Sequence, residues 1–136
     1  MGIQNDESLR NIFELKTIAV VGCSGTPGKA AHDVPRYLQD QGYDVIPVNP
    51  YSDEILGRKS LDSLGDIDRE IDVVSVFRPS EEVPDVVDDV LRRDDVAVVW
   101  TQLGIVHDEA ADRARDAGKT VVQDRCMKVE HRRLSA

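Results

Sequence analysis

The sequence of 136 residues is long enough for one domain with one hydrophobic core, and we expect that domain to span residues 1–136. It is 40% hydrophobic and 32% charged, which is typical of a globular protein rather than a disordered one. It has no apolar run of about 18 residues that could cross a membrane, and its formal net charge of −9 disfavours binding to nucleic acid and anionic membranes. Residues 1–11 are polar and lack an apolar signal core, which favours a cytoplasmic location.

The periodicity of apolar residues predicts that helices and strands alternate along the chain. The first three elements are a helix, a buried strand and a glycine-rich loop, at residues 5–16, 17–21 and 22–32. Proline is tolerated in the first turn of a helix, so Pro35 places the start of the second helix near His32 or Asp33, with Asp33 as a cap. This helix is predicted to end near Gln41, just before a glycine.

The same alternation continues to the end of the chain. Further strands are predicted at residues 44–48, 72–77, 96–101 and 120–123. A third helix is capped by Ser80, and a fourth is predicted at residues 108–117. The segment at 51–71 is polar and irregular, and residues 124–136 are predicted to form a polar tail.

This alternation favours a parallel five-stranded sheet with helices on both faces, a three-layer Rossmann-like α/β fold. Right-handed crossovers with one reversal of winding predict the strand order 3-2-1-4-5, with strands numbered along the chain. In such sheets ligands bind beyond the carboxyl ends of the strands, where the winding reverses. Polar or unusual residues follow every predicted strand and therefore indicate one shared site: Gly22, Cys23 and Ser24; Asn49 and Pro50; Arg78 and Pro79; Thr101 and Gln102; and Asp124, Arg125 and Cys126.

The loop that begins at Gly22 departs from both common phosphate-binding motifs. The dinucleotide fingerprint needs glycine where this chain has Ser24 and Pro27, and no acid directly follows the second strand, so NAD and FAD are disfavoured. The P-loop needs glycine in place of Cys23 and a hydroxyl in place of Ala30, so ATPase chemistry is disfavoured too. A phosphate-binding loop of another kind and a tight turn without a ligand both remain open.

Eight short motifs occur in the order found in a known protein family. They are Gly22-Cys23-Ser24, Val34-Pro35-Arg36-Tyr37-Leu38, Gly42-Tyr43, Ile46-Pro47-Val48-Asn49-Pro50, Ile55-Leu56-Gly57, Phe77-Arg78-Pro79, Trp100-Thr101-Gln102-Leu103-Gly104 and Asp124-Arg125-Cys126. Through them the chain resembles the small stand-alone coenzyme A-binding proteins, which are similar to the CoA-binding domain of the succinyl-CoA synthetase alpha subunit. The resemblance covers about residues 9–134, and the family usually has alanine at the position of Cys23.

This resemblance implies a ligand, coenzyme A or an acyl-CoA, and assigns roles to the residues that match. Backbone groups of Gly22, Cys23 and Ser24 would hold the diphosphate, and Lys29 and Arg78 would neutralise phosphate oxygens. Asn49 and Pro50 would line the wall beside adenine or pantetheine, and Thr101 and Gln102 would bond the pantetheine amides. Pro79 and Cys126 complete the predicted cofactor-binding set.

We predict that the protein binds its ligand without catalysis, because no nucleophile with a matching base can be argued from the sequence. Neither a disulfide framework nor a zinc set is indicated, so no metal is predicted. One alternative is an enzyme: a thiol-based redox protein using Cys126 beside Arg125, or a component of an acyl-CoA synthetase. Another is an NAD(P)-binding oxidoreductase. The other interpretation of Cys126 is a small buried hydrophobic residue with no thiol chemistry. Cys23 is a second candidate thiol if the following helix activates it.

Acidic residues outnumber basic ones by 26 to 17. A charged shell of this kind keeps a protein hydrated in concentrated salt, so adaptation to high salt is one interpretation and an ordinary acidic protein is the other. For the oligomeric state we expect a monomer or a weak homodimer.

Overall fold

A computed structural model describes residues 5–135 of the chain. Its helices are α1 (Asp6–Phe13), α2 (Ala30–Asp40), α3 (Val83–Leu91), α4 (Asp108–Asp116) and α5 (Met127–Ser135). Its strands are β1 (Thr17–Val21), β2 (Asp44–Val48), β3 (Glu54–Ile55), β4 (Arg58–Lys59), β5 (Val73–Val76), β6 (Val98–Thr101) and β7 (Thr120–Val122). Two short 3₁₀ helices lie at Leu64–Asp66 and Ser80–Glu82.

Five strands form one parallel sheet in the order β2-β1-β5-β6-β7, which confirms the Rossmann-like α/β class. The predicted position of the third long strand, now β5, is corrected. It pairs with β1, where Ile18 lies opposite Val73, and not with β2. The order along the chain is therefore 2-1-3-4-5 instead of 3-2-1-4-5, and both are known doubly wound arrangements.

The reason for the different order lies at the outer edge of β2. Leu61 forms a parallel bridge with Val48, and its backbone exchanges hydrogen bonds with Pro47 and Asn49 at 3.1 and 2.8 Å. The small antiparallel hairpin β3–β4 precedes this bridge. Because the segment predicted to be irregular already covers the edge, the next long strand must cross to the free side of β1.

Helices cover both faces of the sheet, as predicted. Residues of α1, α2 and α5 pack on one face, and residues of α3 and α4 pack on the other. Trp100, in the middle of β6, is fully buried, and its indole nitrogen donates to the carbonyl of Arg125 at 2.8 Å. Two layers of apolar side chains therefore hold the sheet, and Trp100 belongs to the core.

The first two helices begin or end at residues other than those predicted. Helix α1 ends at Phe13 instead of Lys16, and α2 begins at Ala30, so that Pro35 lies inside the helix. Proline has no N–H to donate, which leaves the carbonyl of Ala31, four residues earlier, without its helical partner. The amide of Ser24 donates to that carbonyl at 2.9 Å. The glycine-rich loop thus compensates for the proline in the helix.

Residues 127–135 form a helix, so the prediction of a polar tail is wrong. Met127 is fully buried, and the ring of His131 lies 5.2 Å from that of Phe13. The hydroxyl of Tyr37 and Nδ1 of His131 are 2.7 Å apart. These contacts dock α5 against α1 and α2. Across residues 5–135, no helix combines the length and apolarity that a membrane crossing requires.

Candidate functional site

The winding of the sheet reverses between β1 and β5. From β1 the chain passes through α2 to β2 on one side, whereas β5 leads into α3 on the opposite face. The connections therefore diverge beyond the carboxyl ends of β1 and β5 and leave a gap between them. A cleft of about 320 Å³ occupies this position. Its lining residues are Val21, Gly22, Val48, Asn49, Pro50, Tyr51, Asp62, Arg78, Glu82, Asp85, Val86 and Asp89.

Gly22 allows the two inner strands to approach each other at the floor of the cleft. Its φ is +87°, a conformation that favours glycine. A Cβ at this position would lie 2.8 Å from the carbonyl oxygen of Phe77 and 2.9 Å from Cδ of Arg78. Glycine is thus required here by both backbone conformation and space.

Arg78 is the one cationic side chain among the described residues that line the cleft. Its Nε donates to Oε1 of Glu82 at 3.1 Å, and its Nη2 donates to Oε1 and Oε2 of Glu82 at 3.0 and 2.8 Å. These hydrogen bonds raise the pKa of Arg78 further above its ordinary value. The guanidinium of Arg78 therefore lies at the cleft, and the carboxylate of Glu82 already neutralises its charge.

Asn49 joins the end of β2 to the glycine-rich loop. Its Nδ2 donates to the carbonyl of Cys23 at 2.9 Å, and its Oδ1 accepts from the amide of Tyr51 at 2.8 Å. Both ends of this side chain are thus used to shape the cleft. Tyr51 itself is 92% exposed and extends the rim.

The rest of the glycine-rich loop, residues 25–30, is exposed at the start of α2. The amide of Gly22 donates to Val48, and that of Ser24 to Ala31, each at 2.9 Å. Within residues 5–135, the amides of Cys23, Gly25 and Ala30 have no hydrogen-bond acceptor. Of these three donors, Gly25 and Ala30 lie farther along the loop than Ser24, toward the N-terminus of α2 where a phosphate could use them, whereas Cys23 lies between Gly22 and Ser24.

Residues 16–132 match the CoA binding domain family. The chain belongs to this family. It is 47% identical over 116 residues to the protein YneT of Bacillus subtilis, with 85% of each chain covered. It is also 33% identical over 84 residues to the ADP-forming acetate–CoA ligase of Methanocaldococcus jannaschii, a match to 62% of this chain but 12% of that enzyme. A solved hypothetical protein from Pyrococcus horikoshii superposes with a TM-score of 0.95 at 38% identity, covering 100% of this chain and 96% of that one.

Only part of the predicted set of ligand contacts of this CoA binding domain lies in the cleft. The cleft brings together Gly22, Asn49, Pro50 and Arg78. Lys29 lies on the exposed loop, and Pro79 is an exposed residue that precedes the 3₁₀ helix Ser80–Glu82.

Thr101 and Gln102 do not line the cleft and are 1% and 2% exposed. The Thr101 hydroxyl donates to the carbonyl of Ile105 at 2.6 Å. The Gln102 amide donates to Ser75 at 2.8 Å, and its oxygen accepts from the amide of Met127 at 3.1 Å. Both side chains thus hold the strand ends and the start of α5 together.

The two cysteines occupy different environments. Cys23 is fully buried, and burial raises the pKa of its thiol to about 12, the opposite of activation by the helix N-terminus. Cys126 is partly buried against the core cluster that contains Trp100. The idea of an activated thiol at Cys23 is therefore wrong. Within the described part of the chain, no three His, Cys, Asp or Glu side chains are grouped in a way that could hold a metal.

The sequence reasoning missed the acidic wall of the cleft. Glu82 at the N-cap of α3 and Asp85 and Asp89 within it line the same cleft as Arg78. Asp85 and Asp89 follow Glu82 by three and seven residues, a spacing that places all three on one side of a helix and could have identified them. Asp62 has no such signal, because it reaches the cleft through the bridge of its neighbour Leu61 to β2.

Proposed function

We propose that the protein binds coenzyme A or an acyl-CoA at the carboxyl ends of β1, β2 and β5 and does no chemistry on it. The observation that carries the proposal is the cleft at the reversal of winding, with Arg78 at its wall, in a chain that belongs to the CoA binding domain family. The acetate–CoA ligase of M. jannaschii, named for CoA, is similar to this chain along a short part of its own length.

In this proposal the phosphates lie at the mouth of the cleft. Arg78 would contact one phosphate in a bidentate manner, and Lys29 on the exposed loop would neutralise another. The amide of Cys23, between Gly22 and Ser24, would donate from the start of the loop, and those of Gly25 and Ala30 from its exposed part.

The neutral parts of CoA would then lie along the rest of the cleft. Pro50 and the backbone held by Asn49 would form the wall beside adenine or pantetheine. Thr101, Gln102 and Pro79 would support the pantetheine arm by shaping the neighbouring strand ends, since the polar groups of Thr101 and Gln102 are already paired. Cys126 would lie farther along, at the end of β7.

A second candidate function is that of the CoA-holding component of an acid–CoA ligase whose catalytic parts are separate chains. The similarity to the M. jannaschii acetate–CoA ligase, which matches 12% of that enzyme, favours it. Both candidates require the same CoA site. They differ in one assay. Only the second candidate predicts that acetyl-CoA forms from acetate, CoA and ATP when a partner chain is added to this chain.

Isothermal titration calorimetry with CoA, dephospho-CoA and NAD tests the site. We expect CoA to bind most tightly of the three. Arg78→Ala should weaken CoA binding by about 1.5–3 kcal/mol, roughly 10- to 150-fold, as for the loss of a charged hydrogen bond. Arg115→Ala is the control, because it removes the same positive charge from a looser ion pair with Asp112 on α4, outside the cleft. NAD binding tighter than CoA, or equal losses in the two variants, would contradict the proposal.

A further inference from the structure

Glu82 and Arg78 form a contact that a ligand phosphate would have to replace. We propose that Glu82 acts as an internal competitor for Arg78 and thereby sets the affinity of the cleft for anionic ligands. This inference rests on the proposed function, because it concerns the same cleft. It assigns to Glu82 a role in specificity that the CoA contacts alone do not require.

The geometry of the pair resembles that of a guanidinium bound to an external oxyanion. Three hydrogen bonds of 2.8–3.1 Å join Nε and Nη2 of Arg78 to the two oxygens of Glu82. A phosphate would use the same fork of donors. Since Arg78 can offer this edge to one oxyanion at a time, binding of a phosphate there excludes Glu82.

The position of Glu82 in its helix supports this interpretation. Glu82 is the N-cap residue of α3, and its side chain makes no capping hydrogen bond to the helix. The carboxylate is therefore directed to Arg78 instead of the helix amides. When a ligand displaces it, the side chain has the helix N-terminus nearby, where negative charge is favourable.

The pair is open enough to exchange. The side chains of Arg78 and Glu82 are 44% and 42% exposed, in the range where ion pairs are weak. Breaking such a pair costs a factor of about five or less in affinity. The competitor therefore reduces binding without preventing it.

Other carboxylates of the cleft strengthen the effect. Asp85 and Asp89 follow Glu82 along α3, and Asp62 lies beside the end of β2. A displaced Glu82 would still face the incoming phosphate among these charges. The cleft therefore selects ligands that make enough contacts elsewhere, such as the amides of the glycine-rich loop, over small free anions.

The test compares Glu82→Gln with Asp112→Asn, which removes the same charge from a looser ion pair on α4, outside the cleft. CoA and inorganic pyrophosphate are titrated into each variant and the wild type at two salt concentrations. We expect Glu82→Gln to bind both ligands about two- to fivefold more tightly and Asp112→Asn to match the wild type. The double variant Arg78→Ala/Glu82→Gln is compared with Arg78→Ala alone. Between these two variants we expect no gain in affinity.

The outcomes separate the competitor from the function. If the wild type binds CoA but Glu82→Gln has unchanged affinity, the competitor role is overturned and the CoA site stands. If CoA fails to bind while pyrophosphate shows the expected gain, the competitor role stands and the proposed ligand is wrong. If Glu82→Gln binds neither ligand, or if the gain survives in the double variant, the competitor role is overturned.

Discussion

The carboxyl edge of the sheet has two halves that look alike in sequence and differ in structure. The open half comprises the ends of β1, β2 and β5, where Gly22, Asn49 and Arg78 border a cleft. The closed half comprises the ends of β6 and β7, where Thr101 and Gln102 are buried and bonded to neighbouring segments. Polar residues after a strand thus border an open cleft in one half and hold the fold together in the other.

The difference follows from the direction of the connections. Around β1 and β5 they lead to opposite faces, and space remains between them. At β6 the loop turns back over the strand end, and the amide of Gly104 donates to Asp124 after β7 at 2.6 Å. Asp124 takes a φ of +59° to reach this position. Where loops close over the carboxyl edge of the sheet, the polar side chains there form hydrogen bonds within the protein.

Gly22→Ala should break the open half, with the largest expected effect on stability. The backbone at Gly22 is left-handed, which an added Cβ disfavours, and that Cβ would also lie 2.8 Å from the Phe77 carbonyl oxygen, so we expect a loss of about 2–5 kcal/mol in unfolding free energy. Gly28→Ala is the matched control, since Gly28 has a similar φ of +95° with nothing within 4 Å, and should lose about 1–2 kcal/mol. Urea denaturation of both measures the difference, and equal losses would show that close approach at Gly22 does not matter.

Gln102→Ala should break the closed half. It leaves the buried hydroxyl of Ser75 and the amide of Met127 without their partner, for a loss of about 2–4 kcal/mol in unfolding free energy. Gln41→Ala, at an exposed position after α2, should change stability by less than about 0.5 kcal/mol. Thermal and urea unfolding give both values. A loss under 1 kcal/mol for Gln102→Ala would mean that Gln102 is free to serve a ligand after all.

Most of the fold could be predicted from the sequence, because buried parallel strands are continuous apolar runs and glycines mark the turns between elements. The strand order could not. It depends on Leu61, a single apolar residue in a polar segment, and on its bridge to Val48. Helix α2 was predicted to begin too late for a similar reason, since the hydrogen bond from Ser24 that lets Pro35 lie inside the helix joins two separate segments.

The candidate site could be predicted in outline and not in its charges. Residues at strand ends are visible in the sequence, and Gly22, Asn49, Pro50 and Arg78 do meet in one cleft. The pairing of Arg78 with Glu82 depends on side-chain directions across a turn, and the arrival of Asp62 depends on the corrected edge of β2. The resemblance assigned Lys29 and Arg78 to the phosphates and no carboxylate to the site, whereas the lining of the cleft has one arginine and four carboxylates.

The accessibility of Cys23 to a thiol reagent shows how far the open half of the edge extends. Its thiol follows Gly22 in sequence, but it is fully buried, and burial raises its pKa to about 12, so that it stays protonated at pH 8. We expect iodoacetamide to leave Cys23 unmodified in the folded protein and to modify it fully in guanidinium, as measured by mass spectrometry of tryptic peptides. Cys126, which is partly exposed, provides the comparison within the same molecule. Rapid modification of Cys23 in the native protein would mean that the loop opens to solvent, and the glycine-rich loop would then have to be treated as a moving part of the site instead of a fixed wall.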